Sequence, residues 1–130
     1  MAYNLNIINR FENPIHTGSL DKNDMNVGVG IVGAPACGDV MKLMIRVNPE
    51  TNIIEEAKFK GFGCGSLIAS AELVCEKLQQ ISVINASKIS NKEIVEELCL
   101  PPVKIHCSVL AESAISYAII DWKQKQLKIK

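Results

Sequence analysis

The chain has 130 residues, of which 48% are apolar and 22% are charged, so we expect one domain over residues 1–130 with a packed core. Its fourteen basic and fourteen acidic side chains cancel, which argues against nucleic acid or an anionic membrane as a partner. The N-terminus lacks a secretory signal and no apolar run is long enough to span a bilayer, so we expect a cytoplasmic bacterial protein or, alternatively, a mature protein of the mitochondrial or another organelle matrix.

The first half of the chain predicts a short helix, a loop and three strands. Apolar residues recur near helical spacing from Tyr3 to Phe11, and the stretch from Glu12 to Asn26 is rich in the residues typical of loops. Side chains then alternate in polarity along three segments, Val27–Ile31, Val40–Val47 and Ile53–Phe62. This pattern predicts an antiparallel meander with one covered face.

The second half predicts helices. Residues Ser66 to Leu78 and Ser108 to Lys123 place apolar side chains at intervals of three and four. Ser90 followed by Glu93 is a capping-box pattern, which predicts a helix over Asn91–Leu98. Strands followed by helices indicate the α+β class, with a three-stranded antiparallel sheet and helices packed on one of its faces.

The cysteines carry most of the chemical information in this sequence. There are five of them, and without export signals we do not expect disulfides, because the compartment keeps thiols reduced. Cys37, Cys64 and Cys107 fall at ends of predicted elements, where side chains distant in sequence converge, and glycines beside Cys37 and Cys64 allow close approach to an ion. Cys75, in mid-helix, is expected in the core. Burial or simple exposure suits Cys99 better than ligation.

Two further side chains complete a candidate metal site. Asp39 offers carboxylate oxygen two residues after Cys37, and His106 offers imidazole nitrogen beside Cys107. Cys64 and Cys107 are expected at helix N-termini, where positive potential favours the thiolate that iron–sulfur clusters and zinc prefer as a ligand. Three thiolates with Asp or His form a looser set than four thiolates, which suits a cluster that must leave.

Three motifs resemble the signatures of a known family. They are Gly33–Asp39, Phe62–Ser66 and Leu100–Ser108, and they resemble those of the IscU-type iron–sulfur cluster scaffolds, the NifU N-terminal-like family, over nearly the whole chain. The resemblance implies a scaffold rather than an enzyme. On such a scaffold a transient [2Fe–2S] cluster is assembled from iron and from persulfide sulfur delivered by a cysteine desulfurase, and is then transferred to apo-acceptor proteins.

The resemblance also implies roles for individual residues. By position it assigns metal or cluster ligation to Cys37, Asp39, Cys64, His106 and Cys107. Within this set, Asp39 and His106 match alternative fourth ligands, and Cys107 also matches the main persulfide acceptor. Tyr3 matches a tyrosine implicated in persulfide reduction.

The partners implied by the resemblance are proteins, with neither nucleic acid nor a membrane among them. They are the cysteine desulfurase, a ferredoxin, a frataxin-like protein, a DnaK-type chaperone with its J-domain co-chaperone, and the apo-acceptors. The chaperone would bind the segment formed by Leu100, Pro101, Pro102, Val103 and Lys104. Adjacent prolines prevent regular helix there and leave apolar side chains beside a positive charge, as a chaperone ligand requires.

Other functions fit the same residues. A zinc-dependent sulfur-transfer protein could hold zinc in this pocket and relay sulfane sulfur on one cysteine, and zinc could also occupy the site of a scaffold. Cys107 with His106 as base could act in hydrolysis or thiol transfer, but adjacent residues point differently and no Asn or Asp obviously orients the imidazole. His16, in a polar loop, is expected to be a solvated surface histidine.

Overall fold

The sheet has the predicted topology. A computed structural model describes residues 16–21, 23–34, 39–63, 65–98 and 105–129, so the helix predicted over Tyr3–Phe11 lies outside the described residues. The strands are β1 (Val27–Ala34), β2 (Asp39–Val47) and β3 (Ile54–Phe62), in the order β1-β2-β3. Both pairs are antiparallel, with Leu43 opposite both Gly30 and Phe59. The predicted meander is confirmed, and β1 continues beyond Ile31 to Ala34.

Alternation along β2 shows which face of the sheet is covered. Residues 39, 41, 43, 45 and 47 are buried, whereas Val40 is exposed and Lys42 is half-buried. Because successive side chains of a strand point to opposite faces, the odd-numbered residues of β2 define the covered face. Leu43 and its partner Phe59 are both fully buried there.

The described part of the chain contains four helices. They are α1 (Gly65–Leu78), α2 (Val83–Ala86), α3 (Asn91–Leu98) and α4 (Ile105–Ile129). The capping pattern predicted the bounds of α3, and the Glu93 carboxylate accepts a hydrogen bond from the Ser90 N–H at 3.3 Å. α4 is longer than its predicted segment at both ends. The short helix α2, capped by the Ser82 side chain, was not predicted, because a single turn shows no periodicity.

The two longest helices lie on the same face of the sheet. α4 packs on β1 and β2, α1 packs on β3 and β2, and α3 contacts both helices, so the predicted one-sided packing is confirmed. α4 approaches β1 closely over two glycines. A Cβ at Gly28 would lie 2.1 Å from the carbonyl oxygen of Ala118, and one at Gly30 would lie 2.4 Å from that of Ala114. Within the described ranges, no helix is long and apolar enough to cross a membrane.

A short segment that precedes β1 pairs with the outer edge of β3. Thr17 bridges Phe59, whose N–H donates to the His16 carbonyl at 3.0 Å and whose carbonyl accepts the Gly18 N–H at 2.9 Å. The His16 backbone N–H donates to the Glu72 carboxylate at 2.8 Å, and its Nδ1 contacts the other carboxylate oxygen. The prediction of a solvated surface histidine is therefore wrong, because the buried Glu72 on α1 binds it.

Candidate metal centre

Asp39 begins β2 and is only 4% exposed. Gly63, directly after β3, leaves room for its carboxylate, since a Cβ at Gly63 would lie 2.3 Å from Asp39 Oδ1 and 2.7 Å from Leu67 Cδ2. The φ angle of Gly63 is also 151°, a conformation that L side chains rarely adopt. The position of the Asp39 carboxylate therefore depends on a glycine at 63.

His106 and Cys107 lie in the first turn of α4 and meet Asp39 there. His106 Nε2 is 3.0 Å from Asp39 Oδ2, and Cys107 Sγ is 3.6 Å from the same ring nitrogen. Cys107 is buried, whereas the His106 side chain is 43% exposed. The cluster is therefore open to solvent on the side of the imidazole, where an incoming ion could reach it.

The carboxylate and the thiol approach one nitrogen rather than two. Candidate ligand atoms of Asp39, His106 and Cys107 all lie within 4.8 Å of one another. In a nucleophilic relay, the carboxylate binds one ring nitrogen while the nucleophile binds the other. Here oxygen, nitrogen and sulfur donors instead lie close enough together to bind one metal ion.

The contact between Asp39 and His106 overturns one expectation from the sequence. The expectation that no acidic residue orients the imidazole is wrong, because Asp39 contacts His106 across 67 residues of sequence. The contact forms because β2 and α4 both begin at the same end of the sheet. It does not strengthen the hydrolytic alternative, since the shared nitrogen prevents a relay from Asp39 through the ring to Cys107.

The other predicted site residues lie outside the described part of the chain. These are Tyr3, Cys37, Cys64 and the segment Leu100–Lys104, and Cys99 is also outside it. Of the described neighbours of Cys64, Gly63 follows β3 and lies beside Asp39, and Gly65 begins α1. The structure therefore brings together Asp39, His106 and Cys107, and Cys37 and Cys64 stay predictions.

Cys75 occupies a different environment. It is fully buried in α1, as predicted for a core residue. Burial raises the pKa of its thiol well above the usual range, the Glu72 carboxylate raises it further, and Lys58 acts in the opposite direction. Because metal ligation requires a thiolate, this protonated thiol is a poor ligand.

The fold and the site together define a class: an α+β protein with a mixed oxygen, nitrogen and sulfur site at the ends of its elements. Residues 2–129 match the family described as "NifU-like N terminal domain", and the chain belongs to that family.

Curated relatives agree with this assignment, and a solved structure shares the fold. The chain is 60% identical over 126 residues to "Iron-sulfur cluster assembly scaffold protein IscU" of Escherichia coli strain K12, covering 97% of this chain and 98% of that protein. The protein of the same name from Haemophilus influenzae is 58% identical over 126 residues, with coverage of 97% and 99%. A crystal structure from Fervidobacterium islandicum AW-1, described as a SUF-system scaffold for iron–sulfur cluster assembly, has a TM-score of 0.75 at 18% identity, covering 90% of this chain and 96% of that one. At this identity the last comparison supports the fold alone.

Proposed function

We propose that this chain is a scaffold on which a [2Fe–2S] cluster is assembled and from which it is transferred to apo-acceptor proteins. One observation carries the proposal: donor atoms of Asp39, His106 and Cys107 converge within 4.8 Å in a chain that is 60% identical to a curated scaffold. Thiolates of Cys37 and Cys64 complete the proposed ligand set. The cluster is cargo, so the protein needs no turnover of its own.

Sulfur delivery is proposed at Cys107. Its thiolate attacks the outer sulfur of a persulfide on a cysteine desulfurase, so that a new sulfur–sulfur bond forms, the bond in the donor breaks, and the donor cysteine leaves as a thiolate. Two electrons, supplied singly by a ferredoxin, then cleave the Cys107 persulfide to a thiolate and sulfide. A role for Tyr3 in the reduction is part of the same proposal.

Asp39 is proposed as the exchangeable ligand, because a carboxylate oxygen is a harder and weaker partner for the cluster than a thiolate. In Asp39→Ala we expect transfer of an assembled cluster to an apo-ferredoxin to slow by about tenfold, a typical effect of altering the surroundings of a metal. Stopped-flow absorption measures the transfer rate. Glu50→Ala, at an exposed carboxylate, is the control, and an unchanged rate in Asp39→Ala would contradict this role.

The remaining partners and the location are proposed with the function. They are a frataxin-like protein and a DnaK-type chaperone with its J-domain co-chaperone, which would bind Leu100–Lys104, in a bacterial cytoplasm or an organelle matrix. Binding of the chaperone is tested by its ATPase rate, which the wild-type scaffold should stimulate and Val103→Glu should not. Equal stimulation by both proteins would remove the segment from the proposal.

The decisive test is anaerobic reconstitution with ferrous iron, cysteine and a catalytic amount of cysteine desulfurase. A visible cluster spectrum should form and then move to an apo-ferredoxin. Cys37→Ala, Cys64→Ala and Cys107→Ala should each abolish stable assembly, whereas Cys75→Ala, at a buried position outside the site, should retain it. Equal loss in Cys75→Ala would refute the ligand assignment.

The same experiment separates the alternative function. If no cluster forms, zinc is retained and one cysteine accepts sulfane sulfur, the protein is a zinc-dependent sulfur-transfer protein. Zinc content alone does not distinguish the two functions, because a set of thiolate and imidazole ligands binds zinc in either case.

A further inference from the structure

Among the strands that the structure describes, β1 is an edge strand, since β2 pairs with it on one side and no described strand pairs with it on the other. The Asn26 carbonyl accepts the Val47 N–H at 2.8 Å, which shows that even-numbered residues of this strand direct their backbone groups toward β2. In an antiparallel ladder, the intervening residues direct theirs away from the partner. Val29, Ile31 and Gly33 therefore present N–H and C=O groups along the outer edge of the sheet.

α4 covers the first half of this edge with polar side chains. The Val29 N–H donates to Asp121 Oδ2 at 2.9 Å, and the Val27 carbonyl accepts from Lys125 Nζ at 2.7 Å. Bonds of this kind prevent a foreign strand from pairing there, which is a general way to protect an exposed sheet edge.

The second half of the edge has no such protection. One turn before Asp121, α4 carries Tyr117, and no hydrogen bond from the described residues reaches the outward groups of Ile31 or Gly33. A groove of about 360 Å³ runs here between strand and helix, and it is lined by Ile31, Val32, Gly33, Leu110, Ser113 and Tyr117. The Ile31 and Tyr117 side chains are 63% and 54% exposed. The groove therefore combines two features: backbone groups that no described residue pairs, and walls that are only partly apolar.

We propose that this groove binds an extended segment of a partner protein, which adds a short strand to β1 at Ile31–Gly33. Backbone groups of Ile31 and Gly33 supply the hydrogen bonds, as in other cases of strand addition to a sheet edge. Residues of the added strand that face α4 meet Leu110, Ser113 and Tyr117, none of which is charged, so these residues of the added strand are uncharged as well.

Charge determines the residues on the other face of the added strand. Ile31 is opposite Lys42, and Lys42 is opposite Lys60, so a positively charged row crosses the open face of the sheet at this level. Acidic side chains on the added strand complement this row. The segment that fits is therefore extended, with uncharged and acidic residues in alternation.

Under the proposed function, the position of the groove gives such a segment a role. Only this step of the inference rests on the proposed function. Ala34 pairs with Asp39, the first residue of β2, so the open part of the edge ends beside the Asp39–His106–Cys107 cluster. A partner that exchanges sulfur or a cluster with those residues can use the segment to hold its own reactive group nearby. The binding itself requires only the edge and the groove.

The test uses the full-length protein and a capped peptide of alternating Glu and Val, six residues long, followed by amide NMR. The Ile31 and Gly33 amides should shift and exchange more slowly with solvent as the peptide saturates. Ile31→Pro removes the outward N–H without breaking the β1–β2 ladder and should weaken binding at least about tenfold. Ile31→Thr keeps the N–H and is the matched control. Ser113→Trp, which fills the groove from α4, should weaken binding in the same way if Ile31→Pro does not fold.

Three results would overturn the inference. The first is unchanged peptide affinity in both Ile31→Pro and Ser113→Trp, and the second is a set of shifted amides confined to another surface. The third is a dimer of the protein that forms through this edge, seen by sedimentation and lost in Ile31→Pro, which would make a second copy the occupant. Cluster reconstitution without peptide is independent of all three, so failure of the proposed function and failure of this inference are distinguishable.

Discussion

A single buried carboxylate, that of Glu72, connects helix α1 to the segment that pairs with β3. It is 2% exposed and accepts the His16 backbone N–H at 2.8 Å. Glu72→Ala should lower the free energy of unfolding by about 1–3 kcal/mol, because buried donors lose their partner. Urea denaturation measures this, and the Gly18 and Phe59 amides should exchange faster with solvent. Glu50→Ala, at an exposed carboxylate, should stay within about 0.5 kcal/mol of wild type. Equal stability of the two variants would contradict the role of Glu72.

The Cys75 thiol makes the stability of the fold depend on alkaline pH. Burial raises the pKa of this thiol above its ordinary value of 9.0, so above that pH the unfolded chain loses a proton that the folded chain keeps. Stability is unaffected by this group at lower pH and falls as pH rises beyond 9, by up to about 1.4 kcal/mol per pH unit. Cys75→Ala should reduce this decline between about pH 9 and 11, measured by urea unfolding. Parallel curves for both proteins in that range would refute the prediction.

The sequence identified residues of the candidate metal site but not a buried contact elsewhere in the fold, for physical reasons. Cys107, His106 and Asp39 were identifiable because ligand types occur at the ends of predicted elements, and their convergence is observed within 4.8 Å. The contact between His16 and Glu72 was not identifiable, because the two residues are 56 positions apart and neither lies in a recognisable sequence pattern. The only available signal was Glu72 itself, a charged residue on an otherwise apolar helix face. Such a residue does not identify its partner.

At the level of elements, the junction between β3 and α1 controls the site. Gly63→Ala should displace the Asp39 carboxylate, because the added Cβ would lie 2.3 Å from Oδ1 in a backbone conformation with φ at 151°. We expect zinc affinity, measured by competition with a chromophoric chelator, to fall by about tenfold or more, as when groups around a metal are disturbed. Gly61→Ala is the matched control, since its Cβ would lie 3.2 Å from the end of the flexible Ile68 side chain and at ordinary contact distances, 3.6 Å and 3.9 Å, from the Val40 carbonyl oxygen and Phe59 Cδ2. Equal affinities in both variants would show that Gly63 does not position Asp39.

Pattern alone predicted the elements well where a periodic stretch was long, and poorly at their ends. Alternation identified β2 and β3 nearly to the residue, because one face of each is buried. It stopped short in β1, where Gly33 and Ala34 carry no polarity signal yet pair with Val40 and Asp39. With Val32, these residues add three pairs beyond Ile31, and the last of them, Ala34 with Asp39, brings β1 to the site.

For the molecule as a whole, the ends of four elements meet at the site. Asp39 begins β2, Gly63 follows β3, and His106 lies in the first turn of α4, with α1 beginning at Gly65. A metal ion bound by Asp39, His106 and Cys107 would connect the sheet to α4. Metal binding is therefore expected to be coupled to folding.

This coupling predicts that zinc stabilises the entire fold and not only the site. At a free zinc concentration of about 100 times the dissociation constant, the folded state should gain about 2.7 kcal/mol, which raises the Tm by roughly 10 °C for a protein of this size. Differential scanning calorimetry measures the shift, and hydrogen exchange should slow in α1, α4 and the sheet together. The double variant His106→Ala/Cys107→Ala should lose the shift, and Cys75→Ala, buried elsewhere in the core, should keep it. A full shift in the double variant would place zinc at another site, and protection confined to the first turn of α4 would show that the site and the fold are not coupled.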